Sequence, residues 1–170
     1  MRRALVLGAA FVVACGAPAL SQGLHIKTVV HHAGFGAVPC RVLIMAPPHF
    51  SFDPLSGAGR LSTAIVTLAC NPAQFLSTIE ISAGHANRFL PYREMWWDGG
   101  DGSATLEYNL YTTSGYNIVW GDGTGGSSVK TVGQTVTVYN AMIFAKLAYP
   151  QRGVRAGEYS DTITITFNVN

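Results

Sequence analysis

From Thr162 to Asn168 the chain reads Thr-Ile-Thr-Ile-Thr-Phe-Asn, an unbroken period-two alternation close to its C-terminus. Successive side chains on a strand point to opposite faces. The pattern therefore predicts a half-buried β-strand with Ile163, Ile165 and Phe167 turned toward a core and the threonines turned out. If no later segment covers that strand, its edge must be paired by another part of the chain or by another molecule. A second period-two series lies near the other end, at Leu24, Ile26, Thr28 and Val30, with Val29 breaking the pattern. Between them the apolar runs are short, rich in β-branched residues and separated by Gly, Pro, Asn, Asp and Ser clusters, with no long stretch of helical period. Strands are expected at Leu24 to His31, Cys40 to Met45, Leu61 to Cys70, Leu76 to Ser82, Thr105 to Thr112, Thr131 to Val138, Met142 to Leu147 and Thr162 to Val169. Short strands separated by turn signals, without a repeat of fixed period, predict an all-β sandwich.

A chain of 170 residues suits one domain with a real core. Its first residues read differently from the rest. Met1-Arg2-Arg3 is followed by an apolar run from Ala4 to Ala14, too short to span a bilayer, and then by Ala19-Leu20-Ser21, with small residues where a signal peptidase reads. This predicts an export signal at residues 1–21, cleaved before Gln22. The rival is a lipoprotein signal, with Val12-Val13-Ala14-Cys15 placing the lipid on Cys15. Cleavage before Gln22 removes Arg2 and Arg3 but no acidic residue, so nine basic residues balance nine acidic ones. A neutral mature chain has no basic footprint for nucleic acid, and no transmembrane segment is expected in it. The same cut leaves Cys40 and Cys70, which an oxidising compartment should pair. Their bridge closes a loop of about thirty residues, worth roughly 3–4 kcal/mol on the chain-entropy model.

Candidate chemistry is sparse. His31 and His32 are adjacent on an expected strand and so face opposite ways, a poor arrangement for sharing one metal ion. Asp98, Asp101 and Asp122 sit in glycine-rich turns, where hairpin chemistry explains them and no calcium-loop spacing appears. Neither a nucleophile elbow, a free thiol beside a histidine, a phosphate loop nor a working carboxylate pair is present, so neither enzyme activity nor a cofactor or metal is expected. Trp96 and Trp97, next to Tyr92, are either packing residues or an exposed platform for stacking sugars.

Several motifs follow one another in a recognisable order: Cys40 after an N-terminal extension, Phe52-Asp53-Pro54-Leu55, a strand reaching Cys70, Gly84 with Arg88 and Arg93-Glu94-Met95, and Leu106-Glu107-Tyr108-Asn109-Leu110-Tyr111. Val119-Trp120-Gly121-Asp122-Gly123, a segment from Tyr139 to Pro150, and Gly157-Glu158-Tyr159-Ser160-Asp161-Thr162 complete the series. Together they resemble the spore coat protein U domain, shared by subunits of archaic chaperone–usher fimbriae. Two departures stand out: Ala145 where the family often has glycine, and a bulky Trp96-to-Gly102 turn.

The resemblance implies an incomplete immunoglobulin-like β-sandwich over residues 40–170, stapled by Cys40 and Cys70 and completed by a donated N-terminal strand. On periodicity alone, residues 22–39 could equally be the first strand of their own sandwich; the resemblance decides for donation. Leu24, Ile26, Thr28 and Val30 would then be the donor residues, and Ile163, Ile165 and Phe167 would line the acceptor groove. The implied function is a surface-fibre subunit for attachment and biofilm formation, exported through the periplasm to the cell surface or extracellular fibre. Its implied partners are neighbouring pilus subunits, a periplasmic chaperone and an outer-membrane usher. A non-fimbrial coat protein and a sugar-binding adhesin module, with Trp96 and Trp97 as ligand contacts, are the alternatives.

Overall fold

The computed structural model describes residues 20–32, 39–53, 57–100, 104–151 and 153–170. Most of the expected export signal, Cys15, Pro54 and Leu55 of the Phe-Asp-Pro-Leu motif, and Asp101 lie outside the described residues. Eight strands follow in chain order: β1 (Leu20–His32), β2 (Cys40–Ala46), β3 (His49–Phe52), β4 (Leu61–Ile81), β5 (Arg93–Trp97), β6 (Thr105–Tyr111), β7 (Lys130–Leu147) and β8 (Tyr159–Val169). No helix occurs among the described residues, so the chain is all-β, as alternation and turn punctuation predict.

Strands β4, β7, β6, β5 and β8 pair in sequence, and β8 pairs back onto β4, so the sandwich closes like a barrel. Strand β2 is added to the outer edge of the first half of β4, and β1 followed by β3 is added to β8. Inside, Val66, Leu68, Leu76, Ile79, Leu106, Leu110, Ile143, Ile163, Ile165 and Phe167 are fully shielded from solvent.

Four of the expected strands are halves of two long ones. Leu61 to Cys70 and Leu76 to Ser82 join as β4, and Thr131 to Val138 and Met142 to Leu147 join as β7. In β4 the buried positions are even-numbered from Ala64 to Leu76, then odd-numbered at Ile79 and Ile81, with register shifts at Ala69/Gln74 and Leu76/Thr78. An extra residue at a bulge flips side chains to the other face and bends the strand, and Pro72 sits where the ladder is already interrupted. Asn71-Pro72 therefore reads as a terminator in sequence but acts as a bend within one strand. Strand β7 makes the same exchange, from Val136 to Ala141 and Ile143.

Two short strands were not expected. In β3, Phe50 and Phe52 are fully buried while His49 and Ser51 are exposed, an alternation only four residues long and framed by turn residues. In β5 the buried positions are Arg93 and Met95, and an arginine on the core face disguises the alternation. The first strand also starts at Leu20, ahead of the expected cleavage point.

The expected disulfide is present. Cys40 faces Cys70 across the β2–β4 ladder and their sulfurs are bonded, closing a loop with a sequence separation of 30. The N-terminal strand lies outside that loop, although its first residues pair with β3 inside it.

Candidate functional site

The alternation in β8 is complete: Tyr159, Asp161, Ile163, Ile165, Phe167 and Val169 are buried, while Thr162 is exposed and Thr164 and Thr166 are half-buried. Along one edge of β8 runs β1, parallel to it, in a register from Gln22 opposite Tyr159 to His32 opposite Val169. The period-two series of the N-terminal extension falls on the core series of β8: Leu24 faces Asp161, Ile26 faces Ile163, Thr28 faces Ile165 and Val30 faces Phe167. Residues directly opposite in a sheet share a face. Thr28 and Val30 are accordingly half-buried, with Val30 packed on the core, while His25, Lys27, Val29 and His31 are exposed. In this structure β1 and β8 belong to the same chain.

The outer edge of β1 is covered only at its start, where Leu20 to Gly23 pair antiparallel with Phe52 to His49 of β3. Among the described residues, no strand pairs with that edge from Leu24 onward. A row of backbone groups with one partner strand is the feature that invites strand addition.

Behind β8 lies a polar scaffold that the sequence motifs contain but do not announce. Arg93 is fully buried; its Nε donates to Ser82 O (3.1 Å), Nη1 to Asn109 Oδ1 (2.9 Å) and Nη2 to Trp120 O (2.6 Å). Asn109 Nδ2 donates in turn to the carbonyls of Phe89 and Pro91, and Trp120 Nε1 to Ile79 O. Burial without a carboxylate partner pulls the Arg93 guanidinium down to about 10, partly offset by the nearby Tyr108, Asp161 and Asp122. A second cluster closes the start of β8. Asp161 accepts from Tyr108 Oη (2.6 Å) and from the backbone N–H of His85 and Thr162 (2.8 and 2.7 Å). Burial raises the Asp161 carboxyl above its ordinary value despite these donors, and burial followed by Asp161 itself pushes the Tyr108 phenol well up. Gly84 has φ +75 and lies so near Asp161 that a Cβ there would collide with the carboxylate, which accounts for that glycine twice over.

These polar groups are satisfied by one another and brace the fold; they do not converge on a place where a substrate atom could sit. What sequence reasoning missed is that Arg93, Tyr108, Asn109, Trp120 and Asp161, quoted as separate motif letters, meet in the interior. The available signal was a charged or amide residue on the core face of a strand.

The tryptophans do not share a surface. Trp96 is 38% exposed and its ring lies 3.9 Å from that of His85. Its neighbour Trp97 is half-buried under the Arg155 guanidinium, 5.2 Å from the ring centroid, and hemmed in by Gly99 and Gly157. Adjacent strand residues face opposite ways, so the two cannot form one stacking platform. Asp122 is used by its own turn, accepting from Thr124 N and Oγ1, and Asp98 accepts from Ser160 Oγ. Among the described residues, no group of three or more His, Cys, Asp or Glu is placed to hold a metal ion, and no helix is long and apolar enough to cross a membrane.

A disulfide-stapled β-sandwich, with its buried polar groups committed to internal bracing and a terminal strand laid along an edge, defines a structural building block. The Spore Coat Protein U domain model matches residues 34–166, most of the chain, and the chain belongs to that family. It is a structural subunit of the coat or fimbrial kind, from a family that is not one of enzymes, assembling with other subunits in a surface or coat location. No curated protein matches the chain.

Proposed function

We propose that the chain is a subunit of an archaic chaperone–usher fibre that polymerises by donor-strand exchange, the extension of one copy replacing β1 beside β8 of the next. The observation that carries this reading is the seam itself. An extension outside the disulfide loop covers a hydrophobic edge through one parallel ladder, with Leu24, Ile26, Thr28 and Val30 in register with Asp161, Ile163, Ile165 and Phe167. Because the ladder is backbone pairing, with Val30 packed on the core, a second copy of the same segment supplies the same interactions. An edge stripped of its strand would expose apolar side chains worth about 1.5–3 kcal/mol each when fully buried, so it must be covered again. That need is the physical reason for a periplasmic chaperone before assembly and an outer-membrane usher at it. Attachment and biofilm formation are the roles such a fibre serves.

Deletion of residues 22–32, with the subunit purified on its chaperone, tests the reading. Heat-resistant oligomer ladders should disappear while the chaperone-bound subunit stays folded, and adding a peptide of residues 22–32 should release it as a completed monomer. Ladders that persist after the deletion would overturn donation. A wild-type protein that remains monomeric, with β1 resisting proteolysis, would instead establish a self-completed coat protein, the reading that the position of β1 on its own β8 favours.

A further inference from the structure

We propose that a small cleft at the opposite side of the ring from the seam binds the carboxylate-bearing sugar of an acidic saccharide. The cleft, about 110 Å³, is lined by Arg60 ahead of β4, Tyr92 ahead of β5, Tyr111 at the end of β6, Lys146 on β7 and Tyr149 just beyond it. Their convergence is a product of the fold. Lys146 is opposite Leu61 of β4 and Asn109 of β6, and Leu147 N donates to Arg60 O, which draws the two cations to one end of the β4–β7–β6 surface.

Three features select the ligand class. Neither cation makes an ion pair among the described residues: the Arg60 guanidinium lies 5.7 Å from the Tyr149 ring centroid, and Lys146 Nζ lies 5.4 Å from that of Tyr116. Cations resting on aromatic rings stay available to an anion. Among the described residues, no carboxylate lines the cleft. Glu94 is held by Arg88, and Glu107 lines a separate cavity with Thr105, Pro150 and Gln151. The walls are phenolic: Tyr111 packs edge-on to Tyr116 (5.4 Å), which packs edge-on to Phe144, and burial, followed by Tyr92, raises the Tyr111 hydroxyl above its ordinary value. Two cations call for an anion, and rings carrying hydroxyls suit a compound with apolar ring faces and polar edges. The phenolic walls, which suit the apolar faces of a ring, favour a uronic-acid sugar over a peptide carboxylate or a nucleic acid, and the small volume admits only its acid-bearing end. None of the described lining residues belongs to β1 or β8, and Trp96 is not among them.

The test is calorimetric titration of the mature, assembled or monomeric wild-type protein with tetragalacturonate, beside neutral galactotetraose, tetraglutamate and inorganic phosphate. Tetragalacturonate should bind, weaken with added salt, and lose at least tenfold in affinity in Lys146→Gln and in Arg60→Gln, while Lys146→Arg retains binding and Trp96→Ala is unaffected. Unchanged melting temperatures identify the loss as local, and if either glutamine variant is unfolded, the other together with Lys146→Arg and the salt dependence still decides. Absence of binding by wild type, equal binding of the neutral sugar, equal or tighter binding of tetraglutamate or phosphate, or full affinity in folded glutamine variants would each overturn the assignment.

Discussion

Along the edge it shares with β4 and β5, strand β8 is held by side chains as well as by its ladder. Ser82 Oγ accepts from Thr164 N, Ser77 Oγ donates to Asn168 O, Asn168 Nδ2 donates to Thr78 and Glu80, and Ser160 Oγ donates to Asp98. Along the edge it shares with β1, none of the side chains described there, His25, Lys27, Thr28, Val29, Val30 and His31, makes a hydrogen bond or an ion pair; what is seen is the backbone ladder and the packing of Val30 on the core. Side-chain hydrogen bonds at fixed positions tie an edge to one particular partner strand. Backbone pairing alone can be reproduced by any strand of suitable alternation. The difference between the two edges of β8 is therefore the difference between a commitment and an exchangeable joint.

The largest effect should come from the committed side. Arg93→Ala removes three donors and leaves buried acceptors unpaired, which should cost about 3–5 kcal/mol and prevent a cooperative unfolding transition at ordinary temperature, read by urea denaturation. Next, Ile165→Ala opens the core beneath both edges and should cost about 2–5 kcal/mol in the same measurement. If Ile165→Ala were neutral, the alternate residues of β8 would not be what either edge rests on.

On the exchangeable side, Thr28→Pro interrupts the β1 ladder without touching the ring. It should make the N-terminal segment protease-sensitive while the body keeps its transition to within about 1 kcal/mol. A fall in body stability as large as that of Ile165→Ala would erase the distinction between the edges.

A smaller effect concerns pH. The folded state raises the Asp161 carboxyl, chiefly through burial, so it binds this proton more tightly than the unfolded chain does. The contribution is complete below the unfolded value near about pH 4 and is lost as pH rises through the folded value. Asp161→Asn should therefore flatten that part of the stability profile, measured by denaturation at stepped pH. Smallest of all, Trp96→Ala should shift stability by about 0.5 kcal/mol or less, being exposed, whereas Trp97→Ala should cost more because its ring is packed.

Alternation is a local property, written in the backbone's own two-residue period, and for that reason Thr162 to Val169, Leu106 to Tyr111 and the two halves of β4 and β7 are legible without any partner. The cysteine pair is legible from compartment and count. By contrast, Asn71-Pro72 looks like a break because sequence shows a proline but not the bulge that accommodates it. Strand β5 is hidden because Arg93 occupies a core position that only Asn109, Ser82 and Trp120, brought from distant segments, make tolerable.

By itself, then, the sequence determined which segments become strands, which faces of them are apolar, and that the N-terminal and C-terminal series have matching periods. Tertiary structure decided that those two series run parallel in one register, that five strands close into a ring, and that two cations and three tyrosines share one cleft. Pairing direction, closure and convergence depend on contacts between residues far apart in the chain, and those are set by mutual packing rather than by any local pattern.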